Sequence, residues 1–271
     1  MTMVEAILLG ILQGLAEFLP ISSSGHLVIG QHYLEIQEPA LLFDIMLHVG
    51  TLFAIMVYFR EEIFRLLYAC VSLFETSLSI QMDESKRMVG FIIVASIPTA
   101  IIGFTFKDTF AALFGNLTFV ASMLYITALL TWATDRIAWA DHGVGKMKLW
   151  HALVIGIAQG CAITPGISRS GSTIFAATLL GIDRQTAARF SFLISIPAIL
   201  GALVLELRDV AELPDTSTWI IYGAGTLAAF VTGLGAIFLV MKLLTARKFY
   251  WFSLYCVVLA SLVLLSDALV S

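Results

Sequence analysis

Long apolar blocks alternate with short polar segments along this chain, and the apolar blocks predict its elements. Each block has roughly the 17–25 residues that a helix needs to cross a bilayer, or falls just short of that length. Six such blocks predict six membrane-spanning helices: 41–59, 88–106, 117–133, 190–205, 219–241 and 249–265.

Two further apolar stretches, at about 4–30 and 149–181, have a different pattern because proline, glycine and serine interrupt them. Broken backbone at membrane depth is tolerated only where protein or a water-filled cavity satisfies its polar groups. We therefore expect each stretch to form a re-entrant helical hairpin that enters and leaves the membrane on the same face.

The two interrupted stretches are copies of each other. Residues 10–25 read GILQGLAEFLPISSSG and residues 156–171 read GIAQGCAITPGISRSG, with nine of sixteen positions identical at a constant offset of 146. Three predicted spans separate the hairpins, so the second hairpin enters from the opposite face. The predicted fold is an all-α polytopic membrane protein with an inverted-topology repeat, each half a re-entrant hairpin plus three transmembrane helices.

This repeat sets the predicted organisation of the chain. A single membrane domain covers residues 1–271, with a first repeat at 1–140 and a second at 147–271. The composition agrees, because 59% of the residues are hydrophobic and only 13% are charged, against about 25% charged in soluble domains.

The basic residues predict the orientation in the membrane. With this topology, twelve of the fifteen Lys and Arg residues lie on one face, Lys107 and Arg208 lie on the other, and Arg169 lies inside the second hairpin. Because basic residues favour the cytoplasmic side, we expect both termini to lie outside and the first hairpin to open outward.

Opposed hairpins bring their tips together near the middle of the membrane, and the tips carry the candidate chemistry. The first tip supplies Glu17, Ser23 and His26, and the second supplies Arg169 at the position that corresponds to Ser23. The N-terminus of each second half-helix offers free N–H groups and a positive dipole end. Together with a forked guanidinium, these groups suit a phosphate.

Each of these residues also has a structural interpretation. Serines in membrane helices often bond only to the preceding turn, and His26 alone could cap a helix. Glu17 and Arg169 could form a purely structural ion pair, although an ionisable residue inside a membrane is usually functional. Asp44 and His48, four residues apart at the start of the first span, could touch the site or only lie at the interface.

The motifs carry a family resemblance. Gln13-xxx-Glu17, followed by the segment PISSSGH at 20–26, is similar to a motif of the undecaprenyl-diphosphate phosphatases of the bacitracin-resistance type. The segment PGISRSGST at 165–173 resembles their second motif in full. Two positions depart mildly: Gln13 stands where some members have Glu, which leaves one carboxylate fewer for a divalent cation, and Ser24 stands where Thr is common.

The resemblance implies a multi-pass hydrolase of the bacterial cytoplasmic membrane with its site facing the periplasm. Such an enzyme converts undecaprenyl diphosphate to undecaprenyl phosphate and inorganic phosphate, and so recycles the lipid carrier for cell-wall synthesis. The expected cofactor is a divalent cation, Mg²⁺ or Ca²⁺. The expected partners are the polyprenyl diphosphate and membrane lipids, with bacitracin competing for the substrate and no nucleic acid; a homodimer stays open.

Roles follow for the motif residues. We expect Ser23 to be the nucleophile and His26 its general base, with attack by His26 itself or activation of water by His26 as open alternatives. Glu17, with Gln13, is expected to hold the cation, while Arg169 offsets charge in the transition state. The expected phosphate-binding residues share small or hydroxyl side chains at the two tips: Ser22, Ser24, Gly25, Ser168, Ser170, Gly171 and Thr173.

A transporter is the competing class. Inverted repeats with broken half-helices are typical of secondary transporters, which also bind their substrates near the bilayer midplane. A transporter or flippase for an anionic or lipid-phosphate substrate would therefore use the same architecture. Release of inorganic phosphate by the purified protein would distinguish the two classes.

Overall fold

The computed structural model describes residues 1–34, 41–72, 80–207 and 215–270, and the regular structure in these ranges is helical apart from one isolated bridge between His142 and Ile182. Arg208, which the sequence assigns to the outer face, lies outside these residues. The twelve α-helices of the described ranges are α1 (Met3–Phe18), α2 (Ser23–Tyr33), α3 (Leu41–Tyr58), α4 (Arg60–Val71), α5 (Ile80–Thr105), α6 (Lys107–Phe114), α7 (Leu117–Arg136), α8 (Leu149–Cys161), α9 (Arg169–Leu179), α10 (Arg184–Glu206), α11 (Thr216–Thr245) and α12 (Tyr250–Val270).

The protein is a polytopic helical membrane protein. Five described helices, α5, α7, α10, α11 and α12, are long and apolar enough to cross a bilayer. The remaining predicted span, 41–59, corresponds to α3, and the chain bends by 84° at Phe59 between α3 and α4. The short helices α4 and α6 were not predicted, because each follows an apolar block and contains charged residues that interrupt the hydrophobic pattern.

Both interrupted stretches form helical hairpins in the structure: α1 with α2, and α8 with α9. The second helix of each hairpin has only 11 residues. At 1.5 Å per residue it is about 16 Å long, roughly half of the ~30 Å hydrocarbon core, and so it cannot cross the membrane alone. The predicted broken segments are therefore present as hairpins.

The chain breaks at the hairpin tips for identifiable reasons. Pro20 and Pro165 have no N–H to continue a helix. In the second turn Gly166 takes a φ of 90°, which glycine adopts without strain. At each tip a serine then caps the next helix: Ser22 Oγ accepts from Gly25 N at 3.2 Å, and Ser168 Oγ accepts from Gly171 N at 3.1 Å.

Glycines let each hairpin lie close to a long span. On α1, Gly14 lies so close to α11 that an added Cβ would overlap the carbonyl of Ala229 and the hydroxyl of Thr232. On α8, Gly156 lies equally close to the backbone of Ala95 on α5. Close backbone approach through small residues is a common basis of helix packing in membranes.

This packing predicts a position-specific effect of added methyl groups. We expect Gly14→Ala and Gly156→Ala each to lower the free energy of unfolding by about 1–3 kcal/mol, because the new Cβ overpacks a tight contact. Gly235→Ala on α11 is the matched control, since an added Cβ there meets no atom within 4 Å. Thermal unfolding in detergent measures all three variants, and equal stability of Gly14→Ala and Gly235→Ala would contradict the prediction.

Candidate functional site

The candidate site lies where the two hairpin tips meet. Ser170 Oγ of the second tip approaches the carbonyl oxygen of Leu19 in the first at 3.5 Å. A Cβ on Gly25 would lie 3.1 Å from Cα of Gly166, and one on Gly171 would lie 3.3 Å from Cβ of Pro20. The tips are therefore in direct contact, as expected from the repeat.

An ion pair between Glu17 and Arg169 joins the two tips. The side chains are only 6% and 16% exposed, and a guanidinium nitrogen of Arg169 donates to Glu17 Oε1. The other carboxylate oxygen, Oε2, accepts from Ser23 Oγ at 2.6 Å and from Gln13 Nε2 at 3.1 Å. Glu17 is thus the centre of the site, with three groups from two hairpins gathered around one carboxylate.

His48 of α3 also reaches this carboxylate. Its Nε2 lies 3.9 Å from Glu17 Oε2, while its Nδ1–H donates to the carbonyl oxygen of Asp44 at 2.8 Å. Asp44 itself accepts from Gln31 at 3.1 Å. Of the pair that the sequence left open, His48 contacts the site and the Asp44 carboxylate bonds elsewhere.

His26 does not pair with Ser23, so the expected contact between the two is wrong for this structure. The Nδ1–H of His26 donates to the carbonyl oxygen of Ser22 at 2.8 Å, and its Nε2 lies 2.8 Å from the hydroxyl of Tyr255 on α12. Ser23, at the first position of α2, turns its hydroxyl back toward Glu17. The two side chains leave the helix start in different directions, although they are only three residues apart.

Most of the other predicted phosphate-binding groups hold the backbone of the tips. Ser22 and Ser168 cap helices, and Ser24 and Ser170 each lie 3.3 Å from the capping hydroxyl of the same tip. Thr173 Oγ1 bonds to Ser191 Oγ of α10 at 2.6 Å. The serines of the two tips therefore bond locally, as in the structural interpretation of the sequence. Phosphate binding by these side chains stays a prediction.

The helix starts nevertheless keep donors free. Among the described residues, no acceptor bonds the backbone N–H groups of the first two residues of α2 or of α9, which are Ser23, Ser24, Arg169 and Ser170. Both helix starts face the same junction as the Glu17–Arg169 pair. Free N–H groups at a helix N-terminus form a ready anion site.

The site offers few ligands for a cation. Gln13 Oε1 is buried and has no hydrogen-bond partner among the described residues, and it belongs to the same amide that bonds Glu17. The described residues contain no group of three or more His, Cys, Asp or Glu side chains that could enclose a metal ion. Mg²⁺ commonly binds one or two carboxylates together with substrate phosphates. The oxygens present fit a cation shared with a diphosphate, and they do not fit a cation enclosed by protein alone.

These features define a class: multi-pass helical membrane proteins in which two broken helical hairpins enclose a charged site suited to phosphate. The family model described as bacitracin resistance protein BacA matches residues 6–262, and the chain belongs to this family.

Relatives of known name extend over nearly the whole chain. A protein of Syntrophotalea carbinolica named undecaprenyl-diphosphatase is 43% identical over 262 residues, which are 94% of this chain and 95% of the relative. One of Alkaliphilus metalliredigens with the same name is 43% identical and covers 99% of this chain and 100% of its own length. The similarity reaches Methanobrevibacter smithii, whose protein of that name is 36% identical over 98% of both chains.

The ion pair between the tips predicts a strong energetic coupling. Removing one partner of a buried pair leaves an uncompensated charge, so we expect Glu17→Ala and Arg169→Ala each to cost about 3–5 kcal/mol of stability. The double variant should cost less than the sum of the two, with an interaction energy of about 1–3 kcal/mol. Thermal unfolding in detergent provides these values.

The control for this cycle is an exposed pair. Arg60 and Glu61 lie 4.0 Å apart with side chains 64% and 82% exposed. Arg60→Ala should change stability by less than about 0.5 kcal/mol, because exposed ion pairs contribute little. Strict additivity of Glu17→Ala and Arg169→Ala would show that the two tips are not coupled through this pair.

Proposed function

We propose that this protein is an integral membrane phosphatase that hydrolyses undecaprenyl diphosphate to undecaprenyl phosphate and inorganic phosphate. Two relatives that this chain matches over 95% and 100% of their own length are named undecaprenyl-diphosphatase. In the cytoplasmic membrane the reaction recycles the lipid carrier for cell-wall synthesis and confers bacitracin resistance. The observation that carries the proposal is the serine hydroxyl bonded to a carboxylate that an arginine from the opposite hairpin holds in place.

Ser23 is the proposed nucleophile, and the geometry supports Glu17 rather than His26 as its base. Ser23 already donates to Glu17 Oε2 at 2.6 Å. In the first step the serine proton passes to Glu17, the Oγ–P bond to the terminal phosphorus forms, and the bond from that phosphorus to the bridging oxygen breaks. Undecaprenyl phosphate leaves, and the terminal phosphate stays on Ser23.

Arg169 has the chemistry to serve both the carboxylate and the substrate. Its guanidinium carries five N–H donors in a fork that matches phosphate oxygens. One donor engages Glu17, and another points at the carbonyl oxygen of Ser191 at a long 3.5 Å. Donation from Arg169 to the incoming phosphate would offset charge in the transition state and would leave Glu17 free to accept the proton of Ser23.

We assign His26 to the second step. In this step a water molecule loses a proton as it attacks phosphorus, the Oγ–P bond breaks, and Ser23 takes back the proton from Glu17, which gives free Ser23 and inorganic phosphate. Because the Nδ1–H of His26 donates to Ser22, the lone pair that can accept this proton is on Nε2. His26 lies three residues after Ser23 at the start of the same helix.

A divalent cation, Mg²⁺ or Ca²⁺, fits the Glu17 side of the site. Glu17 and the unpartnered Oε1 of Gln13 would hold it together with the diphosphate oxygens. When bound, such an ion neutralises charge on the transferring phosphoryl group and on the leaving oxygen. The Ser22–Gly25 and Ser168–Thr173 segments would complete the phosphate site with their free N–H groups and hydroxyls.

Packing supports an inverted repeat of the two halves. The first hairpin packs along α11, whereas the second packs along α5, so each hairpin lies against a long span from the other half of the chain. The close contacts of Gly10 with Gly225 on α11 and of Gly156 with Ala95 on α5 occupy equivalent points of the two hairpins at the offset of 146. With the charge distribution, this arrangement supports termini outside and a first hairpin that opens to the periplasm.

Phosphate release from a polyprenyl diphosphate by the purified protein tests the function. We expect Ser23→Ala and Glu17→Gln to lower kcat by about 10²–10⁴-fold, because they remove the nucleophile and its base. Ser122→Ala is the control, since the hydroxyl of Ser122 bonds only within α7. With a substrate labelled in its terminal phosphate, the His26→Ala variant should accumulate labelled phosphate on Ser23, because its second step is slowed. Mass spectrometry detects this label.

Two outcomes would contradict this scheme. If Ser23→Ala kept near-wild-type turnover while His26→Ala lost it, Ser23 would not be the nucleophile. If the wild-type protein bound the lipid diphosphate without releasing phosphate, and moved it across vesicle membranes, the transporter class would replace the phosphatase.

Cation dependence can be tested separately with two buried glutamines. We expect a chelator to abolish phosphate release, and Mg²⁺ or Ca²⁺ to restore it. Gln13→Ala should raise the cation concentration for half-maximal activity by at least about tenfold, because an oxygen ligand and a bond to Glu17 are lost. Gln159→Ala is the matched control, because this glutamine is equally buried but bonds to Thr99 and Ile194. Equal cation requirements in the two variants would exclude Gln13 as a ligand.

A further inference from the structure

Tyr255 lies on α12, far from either motif in the sequence, and contacts the candidate site. Its hydroxyl is 2.8 Å from Nε2 of His26 across 229 positions of sequence. The two rings are also stacked, with centroids 5.5 Å apart and planes inclined by 13°. The ring of Tyr255 is therefore nearly parallel to the imidazole, and its hydroxyl contacts the nitrogen that the proposed second step uses.

The hydrogen bonds around His26 fix the direction of each proton. A carbonyl oxygen can only accept, so Nδ1 carries the hydrogen that bonds to Ser22. In the neutral imidazole Nε2 is then an acceptor, and the hydroxyl of Tyr255 donates to it. The other neutral tautomer would place the lone pair of Nδ1 against the carbonyl oxygen of Ser22, so Ser22 sets the tautomer and Tyr255 bonds the nitrogen that is left as the acceptor.

Independent contacts hold α12 in the position that this interaction requires. The hydroxyl of Thr118 on α7 donates to Asp267 Oδ2 on α12 at 2.5 Å, and Tyr250 N donates to Asp135 Oδ2 at 2.8 Å. These contacts lie twelve residues after Tyr255 and five residues before it on α12. Tyr255 is therefore presented to His26 by a helix that is anchored on both sides of it.

We propose that Tyr255 is a positioning residue that holds the imidazole of His26 and links it to the attacking water, so that the water proton passes to the hydroxyl oxygen of Tyr255 as the hydroxyl proton passes to Nε2. This inference rests on the proposed function, because it assigns a partner to the base of the second step. The donor oxygen is the specific requirement, since stacking alone would be satisfied by phenylalanine. Loss of the hydroxyl should slow hydrolysis of the phosphoserine and leave its formation, carried by Ser23 and Glu17, unchanged.

The test is Tyr255→Phe, which keeps the ring and removes the hydroxyl. We expect kcat to fall by about fivefold, the size of one neutral hydrogen bond, with KM within about twofold of wild type. Tyr125→Phe is the matched control on the same helix pair, because its hydroxyl bonds to Ser261 and not to His26. Its kcat should equal that of the wild type.

Two further measurements separate positioning from a structural role. The steady-state fraction of protein with phosphate on Ser23 should rise in Tyr255→Phe and stay at the wild-type level in Tyr125→Phe. In a His26→Ala background, Tyr255→Phe should lower the residual kcat by no additional factor, because the residue acts through His26. Thermal unfolding of each variant shows whether a loss of kcat reflects a loss of folded protein.

The outcomes are distinct. An equal fall of kcat in the wild-type and His26→Ala backgrounds, or an unchanged phosphoserine fraction, would overturn the positioning role. Lack of phosphate release by the wild-type protein would instead reject the proposed function itself. Unchanged kcat in Tyr255→Phe, with the wild type active, would reject only the role of Tyr255.

Discussion

The structure depends on one electrostatic constraint: a carboxylate placed inside a membrane must be paired. Glu17 satisfies this constraint with a guanidinium that its own hairpin does not contain, so the site exists only when both hairpins are in place. Replacing either partner alone would leave a buried charge in a region with little water to solvate it. The same pair that makes the tips interdependent also holds the carboxylate against the hydroxyl of Ser23.

That pair requires close packing elsewhere in the molecule. The hairpins can meet only because α1 and α8 lie almost in backbone contact with α11 and α5, and glycine at the contact points makes this approach possible. Since lipid tails are as apolar as leucine, the helices gain little from hydrophobic burial and depend on such tight contacts. Packing on the long spans and charge pairing at the tips are thus parts of one arrangement.

The sequence predicted the elements with strong local signals. The repeated segments with Pro20 and Pro165 predicted two broken hairpins, and the same motifs named Glu17, Ser23 and Arg169, which the structure brings together. It could not predict contacts that depend on the rotation of a span about its axis. The spacing of Asp44 and His48 left the approach of His48 to Glu17 open, and nothing in the apolar pattern of α12 indicated the approach of Tyr255 to His26.

The expected pairing of Ser23 with His26 was wrong for a related reason. Spacing along a helix shows which residues can share a face, but at a helix start the capping geometry decides where each side chain turns. Here the backbone of Ser22 has a φ of 73°, outside the usual range for residues other than glycine. The spacing of residues in a short motif does not indicate this backbone conformation.

The unusual backbone of Ser22 is compensated by the contacts that shape the site. Its hydroxyl accepts from the N–H of Gly25, and its carbonyl oxygen accepts from both the backbone N–H and the Nδ1–H of His26. A conformation of this kind costs on the order of 1–3 kcal/mol and persists only where the surrounding structure enforces it. Three hydrogen bonds to one residue provide such enforcement, and one of them sets the tautomer of His26. The strain at the tip and the orientation of the imidazole are therefore consequences of the same turn.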